Sequence, residues 1–231
     1  MIGLLRVKNE ARWIERSIAS ILPLCERVLV MDDHSTDQTP DICASLAGVT
    51  VFASPFTGLN ETRDKNWLLE KARGADWILM IDGDEMLLPG CEPEVRKGMA
   101  SGASALSFCI RYLWDREDQV RIDGVYGRFR RPSAFRPGRH RFESTSAGGN
   151  FHCGNVPLAL QAGARQLDAS LLHFGYLHQE DRIRKYHWYR SIDGANQNED
   201  GYRHIVQGDL PEIPADIKLR HAGPLSLVEA S

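Results

Sequence analysis

The chain has 231 residues, enough for one sizeable domain or for one domain with an appendage. With 42% hydrophobic and 26% charged residues, its composition is that of a globular protein and excludes an intrinsically disordered one. The formal net charge of −3 argues against a protein that coats nucleic acid.

The first hundred residues alternate between strand and helix patterns. Strands are predicted at 2–7, 27–31, 49–53 and 76–81, and helices at 10–22, 41–46 and 61–72. This alternation is typical of an α/β protein with a mostly parallel, Rossmann-like sheet and helices on both faces. In such a sheet, ligands bind beyond the carboxyl ends of the strands.

Beyond Pro89 the pattern is looser. A helix is predicted at 91–100 and another at 180–195, and strands at 103–114, 119–126 and 168–174. The segment "DREDQ" is predicted to form the hairpin turn between the strands at 103–114 and 119–126. The part after residue 200 shows no clear periodicity.

Cysteine spacing and hydropathy suggest where the protein resides. The five cysteines include no Cys-x-x-Cys pair, so neither a disulfide framework nor a structural zinc site is expected. The N-terminal apolar run is too short for a secretory signal, and no run of about 18 apolar residues predicts a membrane span. We expect a cytoplasmic protein, with a peripheral position at a membrane left open.

Acidic residues follow two of the predicted strands. Asp82, Asp84 and Glu85 come directly after the fourth strand in "WILMIDGDE", and Asp32 and Asp33 come after the second. The topology places both groups at one edge of the sheet. Closely packed carboxylates repel one another, and a divalent cation such as Mg²⁺ or Mn²⁺ removes that repulsion. A plain turn, built on Asp and Gly, is the alternative for the cluster after the fourth strand.

Two classes of enzyme that combine an α/β fold with strand-end acids or a bound metal do not fit the sequence. In haloacid-dehalogenase-like phosphatases the first Asp of a strand-end Asp-x-Asp is a nucleophile, but Thr or Val is needed where Met86 stands. Those proteins also carry the motif close to the N-terminus and add a downstream lysine and acidic pair, which we do not find. A nucleotidyltransferase should show a Gly-rich loop after the first strand, and "LLRVKNEAR" has none.

Three segments carry a family resemblance: "VKNEARWIERSIASI", "VLVMDDHSTDQTPDI" and "TRDKNWLLEKARGADWILMIDGDE". In order and spacing they resemble the N-terminal half of family 2 glycosyltransferases with the GT-A fold. The resemblance is strong over residues 1–89 and weak beyond. It implies one domain over 1–200, with a nucleotide-sugar half at 1–100 and a smaller, mixed acceptor-side half at 101–200, followed by a tail at 201–231.

The resemblance also implies an activity. It predicts a metal-dependent glycosyltransferase of the hexosyl type, usually inverting, that moves a sugar from a UDP- or GDP-sugar to an acceptor hydroxyl. The pathway would be the synthesis of cell-envelope glycans or glycolipids. A non-catalytic family member that binds a nucleotide-sugar is the alternative from a different class of function.

Donor contacts are assigned by position within the resemblance. They fall on Arg6, Lys8, Asp33, Arg63, Lys65 and Asp82. Asp33 would accept a hydrogen bond from the base or the ribose. Lys65 stands where the family usually shows Arg, so a point charge replaces a planar fork. The alternatives are a capping turn for Asp33 and a solvated helix face for Arg63 and Lys65.

The metal site implied by the resemblance comprises Asp82, Asp84 and His173, with Asp84 as the likelier direct ligand and Mn²⁺ or Mg²⁺ as the ion. His173 lies in "LHFGY", after an apolar run. Neutral imidazole is an adequate ligand for Mn²⁺. A core histidine with its ring nitrogens satisfied is the alternative for His173.

The catalytic base is less clearly indicated. His152 and Cys153 stand where related enzymes often show a His-Glu pair near the acceptor, so the base must come from another residue. Glu143 is the nearest acid in sequence, and Glu85 and Asp123 compete with it.

An arginine-rich segment suggests an anionic ligand. Between Arg128 and Arg141 the chain has six arginines, one histidine and no acid. Arg128 and Arg130, together with His152, are the candidates for contact with the acceptor or a phosphate, because arginine binds phosphate in a bidentate way. A saccharide or lipid-linked acceptor is the expected partner, and nucleic acid is not. A charged surface loop is the alternative.

Overall fold

The computed structural model describes residues 1–144, 151–193 and 201–222. The described chain divides into two compact units. The first consists of Met1–Cys109 and Arg130–Leu171, and the second of Ile110–Phe129 and the described part of 172–227. No helix in these described ranges is long and apolar enough to cross a bilayer.

The secondary structure follows the predicted alternation in the first hundred residues. The helices are α1 (Ile14–Ile21), α2 (Thr39–Ser45), α3 (Glu61–Lys71), α4 (Glu92–Ala100), α5 (Leu158–Gln161) and α6 (Gln179–Ile192). The strands are β1 (Ile2–Val7), β2 (Arg27–Asp32), β3 (Val49–Ala53), β4 (Ile78–Met80), β5 (Glu85–Leu87), β6 (Ala105–Trp114), β7 (Arg116–Arg121), β8 (Arg130–Phe135), β9 (Arg165–His173) and β10 (Leu219–His221).

A mostly parallel sheet forms the centre of the first unit. β1 lies between β2 and β4 and is parallel to both, and β3 extends the sheet beyond β2. β8 pairs with β4 in the antiparallel direction and joins the start of β6 to the sheet. β1 and β4 are apolar along most of their length, as expected for strands covered on both faces.

Alternate residues of β1 face the helices on opposite sides of the sheet. Leu4 belongs to a core cluster that includes Leu68 and Leu69 of α3. Gly3 points the other way, where a Cβ atom would lie 2.9 Å from Cδ1 of Ile21 in α1. A side chain at position 3 would therefore require the Ile21 side chain to move.

Two predicted boundaries were wrong for local reasons. The helix predicted from residue 10 begins at Ile14, because Asn9 adopts a left-handed conformation with φ of 55° and the chain turns before the helix starts. The hairpin turn is tighter than predicted. Asp115, with φ of 61°, reverses the chain so that Trp114 pairs with Arg116, and β7 spans 116–121 and not 119–126.

The second unit combines antiparallel strands with α6. β7 pairs with β10, so part of the segment after residue 200 is an ordered strand. A small apolar core contains Tyr186, Ile205, Val206 and Ile213. This segment has no periodicity because it contributes a short strand and a 3-10 turn at Arg203–Ile205.

Two buried arginines lie against the ring of Trp114 in the second unit. The guanidinium carbons of Arg121 and Arg182 lie 4.6 and 4.3 Å from the ring centroid. Arg182 donates to both carboxylate oxygens of Asp209, at 2.5 and 2.7 Å, and to Asp115 at 2.9 Å. Buried arginines with carboxylate partners and an aromatic face are satisfied in both charge and packing.

We expect Arg182→Met to lower the free energy of unfolding by about 3–5 kcal/mol, because Asp209 and the carbonyls of Tyr176 and Leu177 lose their donor in a buried position. Urea unfolding measures the change. Arg184→Met, two residues later on the same helix, is the control: its side chain is 66% exposed, and the expected change is within about 0.5 kcal/mol. Equal losses in the two variants would contradict the assignment.

Candidate functional site

The acids that follow β4 differ sharply in their accessibility. The side chain of Asp82 is 47% exposed, while that of Glu85 is 1% exposed and Asp84 is buried. The chain turns at this point, with the Glu85 N–H donating to the carbonyl of Asp82 at 3.0 Å, and Glu85 begins β5. Only Asp82 therefore presents a largely solvent-accessible carboxylate.

Gly83 permits close packing within this turn. A Cβ atom at position 83 would lie 2.8 Å from Cγ of Glu10 and 3.0 Å from Cγ1 of Val7. The turn after β4 thus packs directly against the residues at the end of β1. The glycine between the two aspartates is explained by this contact, which is a different reason from the approach of a ligand.

A guanidinium group bridges two of the acids. Nη1 of Arg131 lies 3.0 Å from Oδ2 of Asp82, and Nη2 donates to Oε2 of Glu85. The same Glu85 oxygen accepts the N–H of Asp82 at 3.1 Å. Arg131 is therefore a positive charge within the acidic cluster, and it comes from β8 and not from the neighbouring sequence.

The buried Glu85 carboxyl has a strongly altered affinity for a proton. Burial raises the pKa of Glu85 to about 7. Arg131 acts against this rise, whereas the carboxylates of Asp82 and Asp84 add to it. Glu85 is held by Arg131 and by the Asp82 backbone, an arrangement that suits a residue supporting the turn.

The described side chains form only part of a site for a divalent cation. Among residues 1–144, 151–193 and 201–222, no group of three or more His, Cys, Asp or Glu side chains is arranged to hold a metal ion. Asp82 offers an exposed carboxylate, which is the chemistry that Mg²⁺ and Mn²⁺ prefer. A cation at Asp82 would therefore need further ligands, and the phosphates of a bound donor are of the right kind.

A second polar cluster lies at the carboxyl ends of β1 and β2. Arg6 donates to Asp33 at 2.5 Å and to Asp64 at 2.8 Å, and Arg63 donates to the other oxygen of Asp64 at 2.8 Å. Nζ of Lys8 lies 4.0 Å from Asp33. The structure therefore brings together four residues that were predicted to bind the donor, namely Arg6, Lys8, Asp33 and Arg63. It adds Asp64, which was not predicted.

Turn-capping in this region falls to other residues. Asp32 accepts the N–H of Ser35 at 3.1 Å, and Asp37 accepts the N–H of Thr39 at 3.0 Å. Hydrogen bonding lowers the pKa of Asp37, although partial burial acts in the opposite direction. Asp32 and Asp37 thus cap the turn. Asp33 accepts a hydrogen bond from Arg6 and is not needed as a cap.

Sequence reasoning missed Asp64 and Phe56. Asp64 is fully buried between two arginines, and the signal was its place in the first turn of α3 beside Arg63. The guanidinium carbon of Arg63 lies 4.2 Å from the centre of the Phe56 ring. No short-range pattern could reveal this stacking, because Phe56 lies in the loop that precedes α3.

Lys65 points away from this cluster, into the protein. Its ammonium donates to the carbonyls of Cys153 and Gly154 and, at 3.0 Å, to the side chain of Asn155. Glu61, 3.8 Å from the ammonium, accepts the N–H of Cys153 at 2.8 Å. Lys65 is buried, and in this structure it holds the 153–155 segment against α3.

The residues predicted near the acceptor take different positions. His152 has a left-handed backbone, with φ of 66°, and Cys153 is buried, so that burial raises the pKa of its thiol. Glu143 is exposed and lies two positions before the first of the undescribed residues 145–150. Cys153 is thus a poor substitute for a glutamate base, and Glu143 is the accessible acid of this segment.

The arginine-rich segment is not one patch. Arg130 donates to the carbonyls of Leu167 and Ser107, and Arg141 to Glu70. Arg136 lies over the ring of Trp77, with its guanidinium carbon 4.8 Å from the centroid. Arg128 is exposed and belongs to the second unit. Contact of Arg128 and Arg130 with an acceptor stays a prediction.

His173 and Asp123 lie in the second unit. The ring of His173, the last residue of β9, packs edge-on against Tyr112 and Tyr176, with centroids 5.1 and 4.8 Å away. Asp123 accepts hydrogen bonds from Nε and Nη2 of Arg121, each at 2.8 Å. The role of His173 as a metal ligand stays a prediction.

Comparisons with known proteins identify related sequences. Residues 5–153 match the model of glycosyl transferase family 2. An uncharacterized glycosyltransferase of Rickettsia bellii is 39% identical over 100 residues, covering 41% of this chain and 31% of that protein. One of Rickettsia felis is 36% identical over 94 residues, covering 41% and 32%. These matches cover about a third of the length of each relative.

A solved structure shares the fold. TarS of S. aureus, residues 1–349, matches over 89% of this chain and 68% of its own, with a TM-score of 0.51 and 16% identity. At this identity the likeness concerns the fold alone. The expected GT-A fold, a mostly parallel sheet flanked by helices, is confirmed.

We expect Lys65→Met to lower the free energy of unfolding of the ligand-free protein by about 2–3 kcal/mol, because buried acceptors on 153–155 lose their donor. Urea unfolding measures the loss. Lys97→Met on α4 is the control, since the Lys97 side chain is 71% exposed and the expected change is within about 0.5 kcal/mol. Unchanged stability of Lys65→Met together with weaker donor binding would instead favour the predicted donor contact.

Proposed function

The chain belongs to glycosyl transferase family 2, and on this basis we propose that it is a metal-dependent glycosyltransferase acting on a nucleotide-diphosphate sugar. The donor is a UDP- or GDP-sugar, the transferred group a hexose and the acceptor a hydroxyl of a saccharide or lipid-linked saccharide. Such a reaction belongs to the synthesis of cell-envelope glycans or glycolipids.

One observation carries the proposal: the exposed Asp82 follows β4 and Asp33 follows β2, on either side of β1, at the carboxyl edge of the parallel sheet, where Arg6 of β1 pairs with Asp33. This edge is where α/β proteins bind nucleotides. Arg6 holds the Asp33 carboxylate in place, so that its remaining acceptor capacity can receive a donor from a base or a ribose.

The reaction requires few groups from the chain. The acceptor oxygen forms a bond to the anomeric carbon, and the bond from that carbon to the diphosphate oxygen breaks with its electron pair leaving on the diphosphate. An acid side chain takes the proton of the acceptor, and Glu143 is the accessible candidate. A divalent cation bound at Asp82 would offset the charge that develops on the diphosphate. Single displacement inverts the anomeric centre.

A second candidate function rests on Cys153. This buried thiol stands where relatives often carry a glutamate beside histidine, and burial raises its pKa, so it cannot accept a proton as a carboxylate does. A family member that binds a nucleotide-sugar without transferring it would show donor binding and no product with any acceptor.

We expect one class among UDP-, GDP-, dTDP- and CMP-sugars to raise the melting temperature only when Mn²⁺ is present. At a donor concentration about 100-fold above its Kd the rise should be about 5–10 °C. Asp82→Asn should abolish the Mn²⁺-dependent part, and the sequence-based prediction that Asp84 is a direct metal ligand expects the same of Asp84→Asn. Asp76→Asn, an exposed aspartate before β4, should retain it. A melting temperature unaffected by every donor would speak against the metal-dependent donor site.

We expect Glu143→Gln to lower kcat by about 10²–10⁴-fold and leave donor affinity unchanged, because the substitution removes proton acceptance and little else. Product formation in a donor-saturated assay measures kcat. Glu15→Gln, an exposed glutamate on α1, is the control. Full activity of Glu143→Gln would assign the base to another acid.

A further inference from the structure

Arg131 is a residue to which the family resemblance assigns no role, yet it joins two of the strand-end acids. Its side chain is 21% exposed, and its guanidinium contacts Asp82, whose side chain is 47% exposed, and Glu85, whose side chain is 1% exposed. One side of the guanidinium is thus directed to a buried carboxyl and the other to an accessible carboxylate.

The sheet register explains why Arg131 meets these acids. β8 is antiparallel to β4, with Phe135 opposite Ile78 and Ala134 opposite Leu79. From these pairs β4 runs on toward Asp82 and β8 runs back toward Arg131, so the two residues lie at the same end of the paired strands, where their side chains meet. Because β8 is an integral strand of the sheet, hydrogen-bonded to β6 on its other side, the guanidinium is placed by the fold rather than by a loose surface loop.

This placement has a consequence for a divalent cation. The Oδ2 atom of Asp82 already receives Nη1 of Arg131 at 3.0 Å. A cation bound to the same carboxylate would lie beside a positive charge, and two like charges at one carboxylate repel. Solvent and salt screen this repulsion poorly because the Arg131 side chain is mostly buried.

We propose that Arg131 is a resident counter-ion of the strand-end acids, and that it weakens the binding of a divalent cation alone and so couples metal binding to the diphosphate of the donor. The inference rests on the proposed function, because it takes the metal and the donor to meet at Asp82. The phosphates of the donor bring negative charge that offsets the positive charges of the divalent cation and of the Arg131 guanidinium. Arg131 is accordingly a positioning residue, which acts through Asp82.

The coupling has a thermodynamic signature. If a nucleoside diphosphate tightens the binding of Mn²⁺ by some factor, Mn²⁺ tightens the binding of the nucleotide by the same factor. Removing the guanidinium should tighten the binding of Mn²⁺ in the absence of nucleotide more than in its presence. The coupling factor should therefore fall when Arg131 is neutralised.

The test is a titration of the full chain with MnCl₂, in which free Mn²⁺ is measured by electron paramagnetic resonance, alone and with UDP or GDP. Neutralising Arg131 by itself would leave the buried Glu85 without its positive counter-charge, so the comparison is made in a Glu85→Gln background. We expect Glu85→Gln/Arg131→Gln to bind Mn²⁺ alone about tenfold more tightly than Glu85→Gln does.

Two control variants isolate the position and the charge. Arg136→Gln removes the same charge from an exposed residue of the same segment and should change the affinity for Mn²⁺ by less than about twofold. Glu85→Gln/Arg131→Lys keeps a positive charge and should behave like Glu85→Gln. An affinity for Mn²⁺ alone that is equal or weaker in Glu85→Gln/Arg131→Gln would overturn the proposal.

The outcomes separate this proposal from the proposed function. If neither UDP nor GDP tightens the binding of Mn²⁺ to the unmodified chain, the proposed donor site fails, and the role of Arg131 fails with it. If a nucleotide does tighten Mn²⁺ binding and the coupling factor is the same without Arg131, the donor site stands and Arg131 has no part in it.

Discussion

The need for positive charge beside three packed carboxylates governs the arrangement at the end of β4. Asp82, Asp84 and Glu85 occupy one turn, and Arg131 contacts the first and the last of them. This contact spans 49 and 46 residues of sequence and requires β8 to lie next to β4. The acidic turn and the antiparallel strand at this side of the sheet thus depend on each other.

The strand-end acids differ in their roles because the fold buries them to different depths. Glu85 and Asp64 are almost inaccessible to solvent and form ion pairs with arginines. Glu85 thereby positions Arg131, and Asp64 positions Arg6. Asp82 is exposed, whereas Asp33 is buried and is directed by Arg6. In the turn after β4 an arginine thus joins a buried carboxyl to an accessible carboxylate, as preorganised sites require.

The regular part of the chain was predictable because hydrophobic periodicity is a local property. The alternation of β1 to β4 with α1 to α3 follows from it, and so do the acids at the carboxyl edge of the sheet. Predictions failed where a single residue adopts a left-handed backbone, as at Asn9 and Asp115. They also lacked β5 and β10, which are three-residue strands too short to show a period.

The sequence by itself determined the family, the parallel sheet and the identity of the acids at its edge. Each of these follows from motifs or periodicity within a contiguous segment of the chain. Tertiary structure alone decided which of those side chains are accessible and what holds them. Lys65 was predicted to contact the donor, with a solvated helix face as the alternative; in the structure it is buried, and its ammonium donates to carbonyls 88 and 89 residues away. Arg131 looked like one member of a basic loop and lies in the acidic cluster. Burial and ion pairing depend on distances between elements, and those are set only when the sheet forms.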